Sequence, residues 1–132
     1  RTMDEKWRME AHNLMKKMVK NMAKAMGGTA KLNITVGYPY LINDEVLTTR
    51  ARKFSEAYLG VENVVNLPIR MTAEDFSYYS QKMPACFYRL GTGNIKKGIT
   101  SPVHTNTFDV DEDCLKLSTG LMAWLAIQEL SV

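Results

Sequence analysis

The first part of the chain carries a helical pattern of apolar side chains. Thr2 and Glu5 have the T-x-x-E spacing of a capping box, which indicates a helix start. Apolar residues then recur at every third or fourth position, as they do on one face of an α-helix. This stripe consists of Met3, Trp7, Ala11, Leu14, Met18, Met22 and Ala25. The pattern predicts one long helix, which the glycine pair at 27–28 ends because glycine adopts the left-handed C-cap conformation without steric cost.

Three short segments have the composition of β-strands. Residues 31–37 alternate polar and apolar side chains and are rich in β-branched types. Residues 61–67 are largely apolar up to Pro68, and residues 85–91 combine aromatic with apolar side chains. One strand beside one helix does not make a stable sheet. Other chain segments or another subunit must therefore complete the sheet around residues 31–37.

Three further helices are predicted from capping residues and turns. Asn43 is expected to cap a helix that ends at Gly60. Thr72 and Asp75 have capping-box spacing before a short helix. An acidic turn at residues 109–112 is expected to begin the last helix, whose buried face would comprise Leu117, Leu121, Met122, Trp124 and Leu125. The alternation of helices and strands predicts an α/β fold.

Composition places the chain among folded globular proteins. Hydrophobic residues make up 45% of the chain and charged residues 23%, with a net charge of +3. No apolar run approaches the roughly 20 residues of a membrane-spanning helix, so no membrane partner is expected. The basic residues of the first helix lack interleaved stacking aromatics. We interpret them as a solvated helix face and expect no nucleic-acid partner.

Cysteine usage bears on the compartment. Cys86 and Cys114 have no CxxC spacing, and we interpret them as buried free thiols in a reducing compartment. This interpretation favours a cytoplasmic protein. The chain opens at Arg1 rather than at methionine, so its true start is expected to lie upstream.

His104 is the one histidine outside a helix pattern. It follows the glycine-rich loop at residues 91–103, and loops of this length in compact domains are usually functional or mobile. A neutral imidazole there could bind a metal or act as an acid or base, although a single loop histidine is more often a plain hydrogen-bonding residue. A zinc site needs three or four protein ligands. The chain offers no second histidine or cysteine at ligand spacing.

Glu74 and Asp75 form an acidic pair with two possible roles. They would stabilise the positive N-terminal end of the short helix that follows them. They would alternatively belong to a helix N-terminus directed at a polar group of a substrate. From the residues alone, the stabilising role is the better interpretation.

Four segments, taken in order, resemble motifs of one enzyme superfamily. They are residues 1–5 (RTMDE), 38–44 (YPYLIND), 71–77 (MTAEDFS) and 103–108 (VHTNTF). The superfamily is that of the metal-dependent amidohydrolases and peptidases of the aminoacylase and carboxypeptidase-G type. The chain is most similar to the branch of hippurate hydrolases and auxin-amino-acid amidohydrolases. Each motif alone is weak, but the four at this spacing span nearly the whole chain.

The resemblance implies a fold and a division into domains. Residues 1–41 would be the second half of a ferredoxin-like (βαβ) lid domain that often dimerises, which implies a homodimer through this segment. Residues 42–132 would be the C-terminal part of a zinc-peptidase-like α/β catalytic domain. About the first two-thirds of the enzyme would then lie outside the chain.

The resemblance also implies a reaction. The family cleaves the amide bond of N-acyl amino acids with a water held by two divalent metal ions, expected to be zinc, manganese, cobalt or nickel. His104 matches the last metal ligand, and Glu74, Asp75 and Asn43 match the substrate cleft. The general-base glutamate matches nothing in the chain, so the chain alone is expected to be inactive. The alternative is a non-catalytic oligomerisation or interaction module.

Two positions depart from the family pattern. Tyr38 stands where carboxypeptidase-G-like relatives place an arginine that binds the substrate carboxylate, so recognition of that carboxylate is expected to differ. Asn106 stands where the family usually has a proline after the histidine motif. This second change is expected to alter the stiffness of the loop that carries His104.

Overall fold

The computed structural model describes residues 1–131, and these residues form helices joined by irregular segments. Among them no β-strand is formed, and the single isolated bridge joins Asn94 to Ile99. The α-helices, numbered α1 to α4 in chain order, span Glu5–Ala25, Glu45–Leu59, Ser77–Ser80 and Asp113–Glu129. Short 3₁₀ turns occupy Val61–Asn63 and Ile95–Lys97.

The chain divides into two compact units. The first comprises Arg1–Asn43 and Pro68–Ala85, and the second comprises Asp44–Leu67 with the chain from Cys86 onward. Each unit is therefore made of two separate chain segments. The assignment of residues 1–41 to a lid and of 42–132 to a catalytic domain stays a prediction.

The three predicted strands are not formed among residues 1–131, so the described part of the chain is mostly helical where an α/β alternation was expected. Residues 31–37 and 85–91 have no regular secondary structure, and the third segment begins with a 3₁₀ turn at Val61–Asn63. A strand requires a neighbour that shares its backbone hydrogen bonds. Among residues 1–131 these segments have no such neighbour, so the β-type composition is not expressed as a sheet.

Helix α1 begins two residues later than the capping box predicts. Its N-cap is Asp4, whose carboxylate accepts a hydrogen bond from the backbone N–H of Trp7 at 2.9 Å. The Thr2 hydroxyl oxygen accepts instead from the backbone N–H of Asp4 at 3.1 Å. The Glu5 carboxylate accepts a hydrogen bond from the backbone N–H of Tyr40 at 3.1 Å, a long-range bond that local spacing does not predict.

The glycine pair ends α1 as predicted. Gly27 has a φ of 75°, in the left-handed region. The Gly28 backbone N–H donates to the carbonyl of Ala23 at 2.8 Å, and the Gly27 N–H donates to that of Lys24 at 3.1 Å. These two bonds are those of a Schellman motif, which satisfies carbonyls that the helix end leaves unpaired.

The apolar stripe of α1 is largely uncovered. No residue of the helix is buried, and Trp7, Met18 and Met22 retain exposed fractions of 50%, 60% and 67%. The stripe therefore forms on the helix as the periodicity predicts, but the described residues do not pack against most of it.

The core of the second unit lies between α2 and α4. Leu121 and Leu125 of α4 are buried, as predicted for this face, whereas Leu117 and Met122 remain exposed. The indole N–H of Trp124 donates to the carbonyl of Phe54 at 3.0 Å, which joins the two helices. A second link joins Arg50 of α2 to Glu129 of α4, where the guanidinium donates to both carboxylate oxygens.

The N-cap of α2 is Asp44 rather than the predicted Asn43. The Asp44 carboxylate accepts a hydrogen bond from the backbone N–H of Leu47 at 2.8 Å. Both residue types are good caps, so the sequence alone does not separate them. The end of the helix is confirmed, because Gly60 has a φ of 89° and its N–H donates to the carbonyl of Glu56.

Candidate functional site

His104 lies at an exposed turn in the second unit. Its φ of 65° is the only positive value of a non-glycine residue in the part of the chain that the structure describes. Histidine enters this left-handed region more readily than most residues, yet the conformation still has a cost. The turn therefore presents the imidazole to solvent from a backbone that the surrounding loop must hold in place.

Hydrogen bonds within the loop hold this turn from both sides. The hydroxyls of Ser101 and Thr107 share a hydrogen bond at 2.8 Å across the turn. The Thr105 hydroxyl donates to the carbonyl of Pro102 at 2.8 Å, and the Phe108 N–H donates to the carbonyl of Thr105 at 3.2 Å. These hydrogen bonds lie on either side of Asn106, the position where the resemblance implies a proline.

A polar cluster lies at the foot of the same loop. The Asn94 side-chain amide donates to one carboxylate oxygen of Asp111 at 2.6 Å, and the Lys97 ammonium donates to the other at 2.6 Å. Lys97 also pairs with Asp113 at 2.6 Å. The hydrogen bond from Asn94, followed by that from Lys97, holds the pKa of Asp111 below its usual value. Asp111 is itself 9% exposed, and the ion pair with Lys97 balances its charge.

No sequence pattern indicates this cluster. The glycine content of residues 91–103 predicts a loop, whereas the chain from Asn94 to Ile99 forms a closed turn with a 3₁₀ helix inside it. The signal available was weak: Asn94 is a good capping residue, and its side-chain oxygen accepts from the N–H groups of Lys96 and Lys97. Its bond to Asp111 joins residues 17 positions apart, which no local pattern shows.

Glu74 and Asp75 belong to the first unit, in the loop before α3. Helix α3 is short, as predicted, but its N-cap is Phe76 with no side-chain cap bond, so the capping box from Thr72 is not formed. Instead the Ser77 hydroxyl donates to the carbonyl of Glu74 at 2.6 Å, and Ser77 is fully buried. The loop is thus held by Ser77. The carboxylates of Glu74 and Asp75 make no hydrogen bond with the residues described.

The segment around Tyr38 is fastened to α1 inside the first unit. Arg8 donates to the carbonyl of Tyr38 at 2.7 Å and forms an ion pair with Glu5. Gln81 donates to the carbonyl of Tyr40 at 3.0 Å. The ring of Tyr38 also meets that of Tyr78 edge-on, with centroids 5.8 Å apart. These contacts fix the backbone at Tyr38, the position where the resemblance implies an arginine in carboxypeptidase-G-like proteins, and no local sequence pattern indicates the roles of Arg8 and Gln81.

The predicted site residues fall in different units. Asn43, Glu74 and Asp75 lie in the first unit, and His104 lies in the second. Asn43 is half-buried just before α2. Across residues 1–131, no group of three or more His, Cys, Asp or Glu side chains is placed to hold a metal ion. The described residues therefore do not form a metal site by themselves, and His104 fits only as a single ligand.

Two further expectations concern the thiols and the membrane. Cys114 is a free cysteine, and both Cys86 and Cys114 are half-buried rather than buried as predicted. Among residues 1–131, no helix combines the length and apolar character needed to cross a bilayer.

Comparison with known proteins places the chain in a family context. The model of the family described as peptidase family M20/M25/M40 matches residues 3–127. A protein named thermostable carboxypeptidase 2, from Saccharolobus solfataricus, is 35% identical over 129 residues, which cover 97% of this chain and 32% of that protein. No solved structure gave a significant match.

Two relatives with lower identity are named as hydrolases. IAA-amino acid hydrolase ILR1-like 4 from Arabidopsis thaliana is 28% identical over 124 residues, covering 88% of this chain and 28% of its own length. A putative amidohydrolase, YhaA, from Bacillus subtilis is 24% identical over 127 residues, covering 96% of this chain and 32% of its own length. The chain thus spans about a third of the length of the relatives it matches.

Proposed function

Because the chain belongs to peptidase family M20/M25/M40, we propose that it supplies part of the active site of an enzyme that cleaves the amide bond of N-acyl amino acids. Members of this family are hydrolases with a zinc-peptidase-like fold and generally depend on metal ions. Two relatives support the choice of substrate class, since their names are those of a carboxypeptidase and of a hydrolase of an amino-acid conjugate.

One observation carries the proposal: the imidazole of His104 is exposed on a turn whose backbone is held in a costly conformation. We assign His104 as one ligand of a metal centre whose other ligands lie outside the chain. A divalent metal, when bound, polarises a carbonyl and lowers the pKa of a bound water. Of the four expected ions, zinc and nickel suit an imidazole ligand best, whereas manganese favours carboxylate ligands beside it.

The first unit would contribute to the substrate cleft. We assign Glu74, Asp75 and Asn43 to this cleft. In support, the Glu74 and Asp75 carboxylates are unpaired among the described residues, while Ser77 holds the loop backbone. Their negative charge would favour a substrate part that donates hydrogen bonds, such as an amide N–H. The general base would come from outside the chain, which is why we expect the chain alone to be inactive.

The experiment compares three forms of the natural-length protein: wild type, His104→Asn and His12→Asn. Metal content is measured by elemental analysis after incubation with zinc or manganese, and hydrolysis is measured on a panel of N-acyl amino acids. We expect wild type to bind metal and the His104 variant to lose at least one ion and roughly a hundredfold or more of its activity. The His12 variant is the control, since His12 lies on α1, and it should match wild type.

A second candidate function is a non-catalytic interaction module, and the uncovered stripe of α1 favours it. Trp7, Met18 and Met22 lie exposed along one helix face. Such a face is typical of a surface that a partner covers. We propose a second copy of the chain as that partner, giving a homodimer through residues 1–41. Absence of metal and of hydrolysis in the wild-type protein above would leave this module as the function.

A further inference from the structure

We propose that Asn94 closes the loop that carries His104, and that it acts as a positioning residue for that imidazole. We call residues 99–111 the His104 loop. The closure stands on contacts in the structure, and only the role of the imidazole rests on the proposed function.

The backbone of Asn94 holds the residue at which the loop begins. Its N–H donates to the carbonyl of Ile99 at 2.8 Å, and its carbonyl accepts from the N–H of Ile99 at 2.9 Å. This pair of bonds is the one isolated β-bridge among the described residues. The start of the His104 loop is therefore fixed relative to Asn94.

The side chain of Asn94 holds the residue at which the loop ends. Its amide donates to Asp111 at 2.6 Å, and the Asp111 backbone N–H donates to the carbonyl of Thr92 at 2.8 Å. The side-chain oxygen of Asn94 accepts from the N–H groups of Lys96 and Lys97 at 3.1 and 3.3 Å. One asparagine thus joins both ends of the loop and is itself fixed in rotation.

Charge strengthens the closure at Asp111. This residue is almost fully buried, and a buried carboxylate is costly unless it is hydrogen-bonded and paired. Asn94 supplies one hydrogen bond, and Lys97 supplies a second together with a positive charge. Bonds to ionised groups are about twice as strong as neutral ones. Loss of Asn94 would leave one oxygen of a buried carboxylate without its donor.

A closed loop is what a metal ligand at its tip needs. Fixing the two ends of a loop limits the positions that its tip can reach. The left-handed backbone of His104 is kept only where the surroundings hold it. Binding sites tolerate displacements of only about 0.5 Å before they lose function. Asn94 would therefore act on the metal through the loop without touching the metal.

The test measures amide hydrogen exchange in the natural-length protein, in wild type, Asn94→Ala, Lys97→Met and Lys96→Met. We expect Asn94→Ala to speed exchange in the His104 loop roughly tenfold, because a charge-assisted hydrogen bond is lost. Lys97→Met should give a smaller increase. Lys96→Met is the matched control, since the Lys96 side chain makes no ion pair among the described residues, and it should leave exchange unchanged. If amide exchange in the His104 loop is as slow in Asn94→Ala as in wild type, Asn94 does not close the loop.

A second variant covers the case in which Asn94→Ala does not fold. Asn94→Asp has nearly the same shape but places a carboxylate against Asp111, so it should loosen the loop at neutral pH. Protonation of the introduced carboxylate restores a donor, and the exchange ratio to wild type should therefore fall back toward one as the pH is lowered. A ratio of one at every pH would contradict the proposal.

Zinc titration separates this proposal from the function on which it rests. The His104 imidazole resonance is followed by NMR as Zn²⁺ is added, with His104→Asn used for its assignment. In wild type the resonance should respond to zinc, and in Asn94→Ala it should need about tenfold more. An alternative result is that zinc leaves the His104 resonance of wild type unchanged while Asn94→Ala still speeds amide exchange in the His104 loop. That result would contradict the metal-binding function and support the closure of the loop by Asn94. Normal zinc affinity with a loosened loop would overturn the positioning role.

Discussion

At His104 the backbone and the side chain have different requirements. A φ of 65° is met most easily by glycine or asparagine, yet the chain places an imidazole there. A residue that is unfavourable for its turn is expected where its side chain is used. His104 therefore contributes an imidazole at the cost of an unfavourable backbone conformation. Substitutions can change the side chain and the backbone cost independently.

Replacing His104 by asparagine and by valine should have different effects. Asparagine tolerates the left-handed conformation, so with metal removed from both proteins His104→Asn should keep the thermal stability of wild type within about 0.5 kcal/mol. Valine is β-branched and should cost about 1 to 2 kcal/mol at the same position. Thermal unfolding of the natural-length variants checks this. Equal stability of the two variants would contradict a left-handed backbone conformation at residue 104.

The pH dependence of the polar cluster follows from Asp111. Its pKa is lowered in the folded state, chiefly by Asn94 and then by Lys97. The stabilisation is therefore present above the unfolded value of about 3.9 and is lost as the pH falls through the lower folded value. We expect the carboxyl ¹³C resonance of Asp111 to titrate below about pH 3.9.

Asn94→Ala provides the comparison for this titration. It removes the largest cause of the lowered pKa, so the midpoint of Asp111 should move upward toward the usual value. Lys96→Met should leave the midpoint where it is in wild type. A midpoint that is the same in all three proteins would show that Asn94 does not bond to Asp111.

For single residues, the sequence predicts a role correctly where that role depends only on near neighbours in the chain. Gly27 and Gly60 were predicted to end their helices and do so, with positive φ at both. Asn94 and Asp111 were not found, because their bond depends on how a loop folds back over 17 positions. His104 was singled out by its type and place, whereas its backbone conformation was not predictable.

Among the elements, α2 and α4 show how close two helices can approach. A Cβ built on Gly120 of α4 would lie 3.1 Å from the ring carbon Cζ of Tyr58 on α2 and would clash with its hydroxyl. Tyr58 in turn meets the ring of Trp124, at 6.2 Å between centroids. Glycine at position 120 therefore allows a contact that even alanine would obstruct.

Gly120→Ala should lower the free energy of unfolding by about 1 to 2 kcal/mol, because overpacking outweighs the better helix propensity of alanine. Adding Tyr58→Phe should recover part of the loss, since it removes the clashing hydroxyl. Gly37→Ala is the control, because a Cβ there meets nothing within 4 Å. Denaturant unfolding measures all four proteins. A single Gly120→Ala variant as stable as wild type would show that Tyr58 moves aside freely.

The N-cap of α2 gives a second prediction for an element. Asp44→Ala should cost about 1 kcal/mol, because the Leu47 N–H loses its acceptor. Asp44→Asn should keep most of that stability, since asparagine caps as well as aspartate. Thermal unfolding distinguishes the two, and equal loss in both would indicate that the charge of Asp44 matters rather than its cap bond.

Helices were predictable and strands were not, for one physical reason. A helix satisfies its backbone groups within its own sequence, so periodicity and caps located α1, α2 and α4 to within a few residues. A strand satisfies them with a neighbour, and the segments at 31–37 and 85–91 have no such neighbour among residues 1–131. Their β-type composition is therefore not expressed as a sheet within the described residues.

For the whole molecule, the main feature is the apolar face that α1 leaves open. Met18 and Met22 lie one turn apart on this face, with exposed fractions of 60% and 67%. Full burial of such a side chain contributes about 1.5 to 3 kcal/mol. If a second copy covers the face, as we propose, these methionines contribute strongly to the association.

Met18→Lys and Met22→Lys should each raise the dissociation constant of the dimer at least about tenfold. Met9→Lys is the matched control. Met9 is 51% exposed but lies nine residues from Met18, or two and a half helical turns, and therefore on the opposite face. Sedimentation of the natural-length proteins measures the association. An unchanged dimer in the Met18 and Met22 variants would exclude this face as the interface.

Because each unit consists of two separate chain segments, few truncation points leave a unit whole. A protein ending after Asn43 would lack Pro68–Ala85, and with it Gln81, whose amide bonds to the carbonyl of Tyr40. A protein starting at Asp44 would carry those residues without the α1 segment to which they belong. No single cut separates the two units intact. A junction between residues 85 and 86 would divide the second unit, whose two segments would then come from different parent proteins. We therefore expect chimaeras of family members joined at this point to fold less well than chimaeras that exchange the whole region.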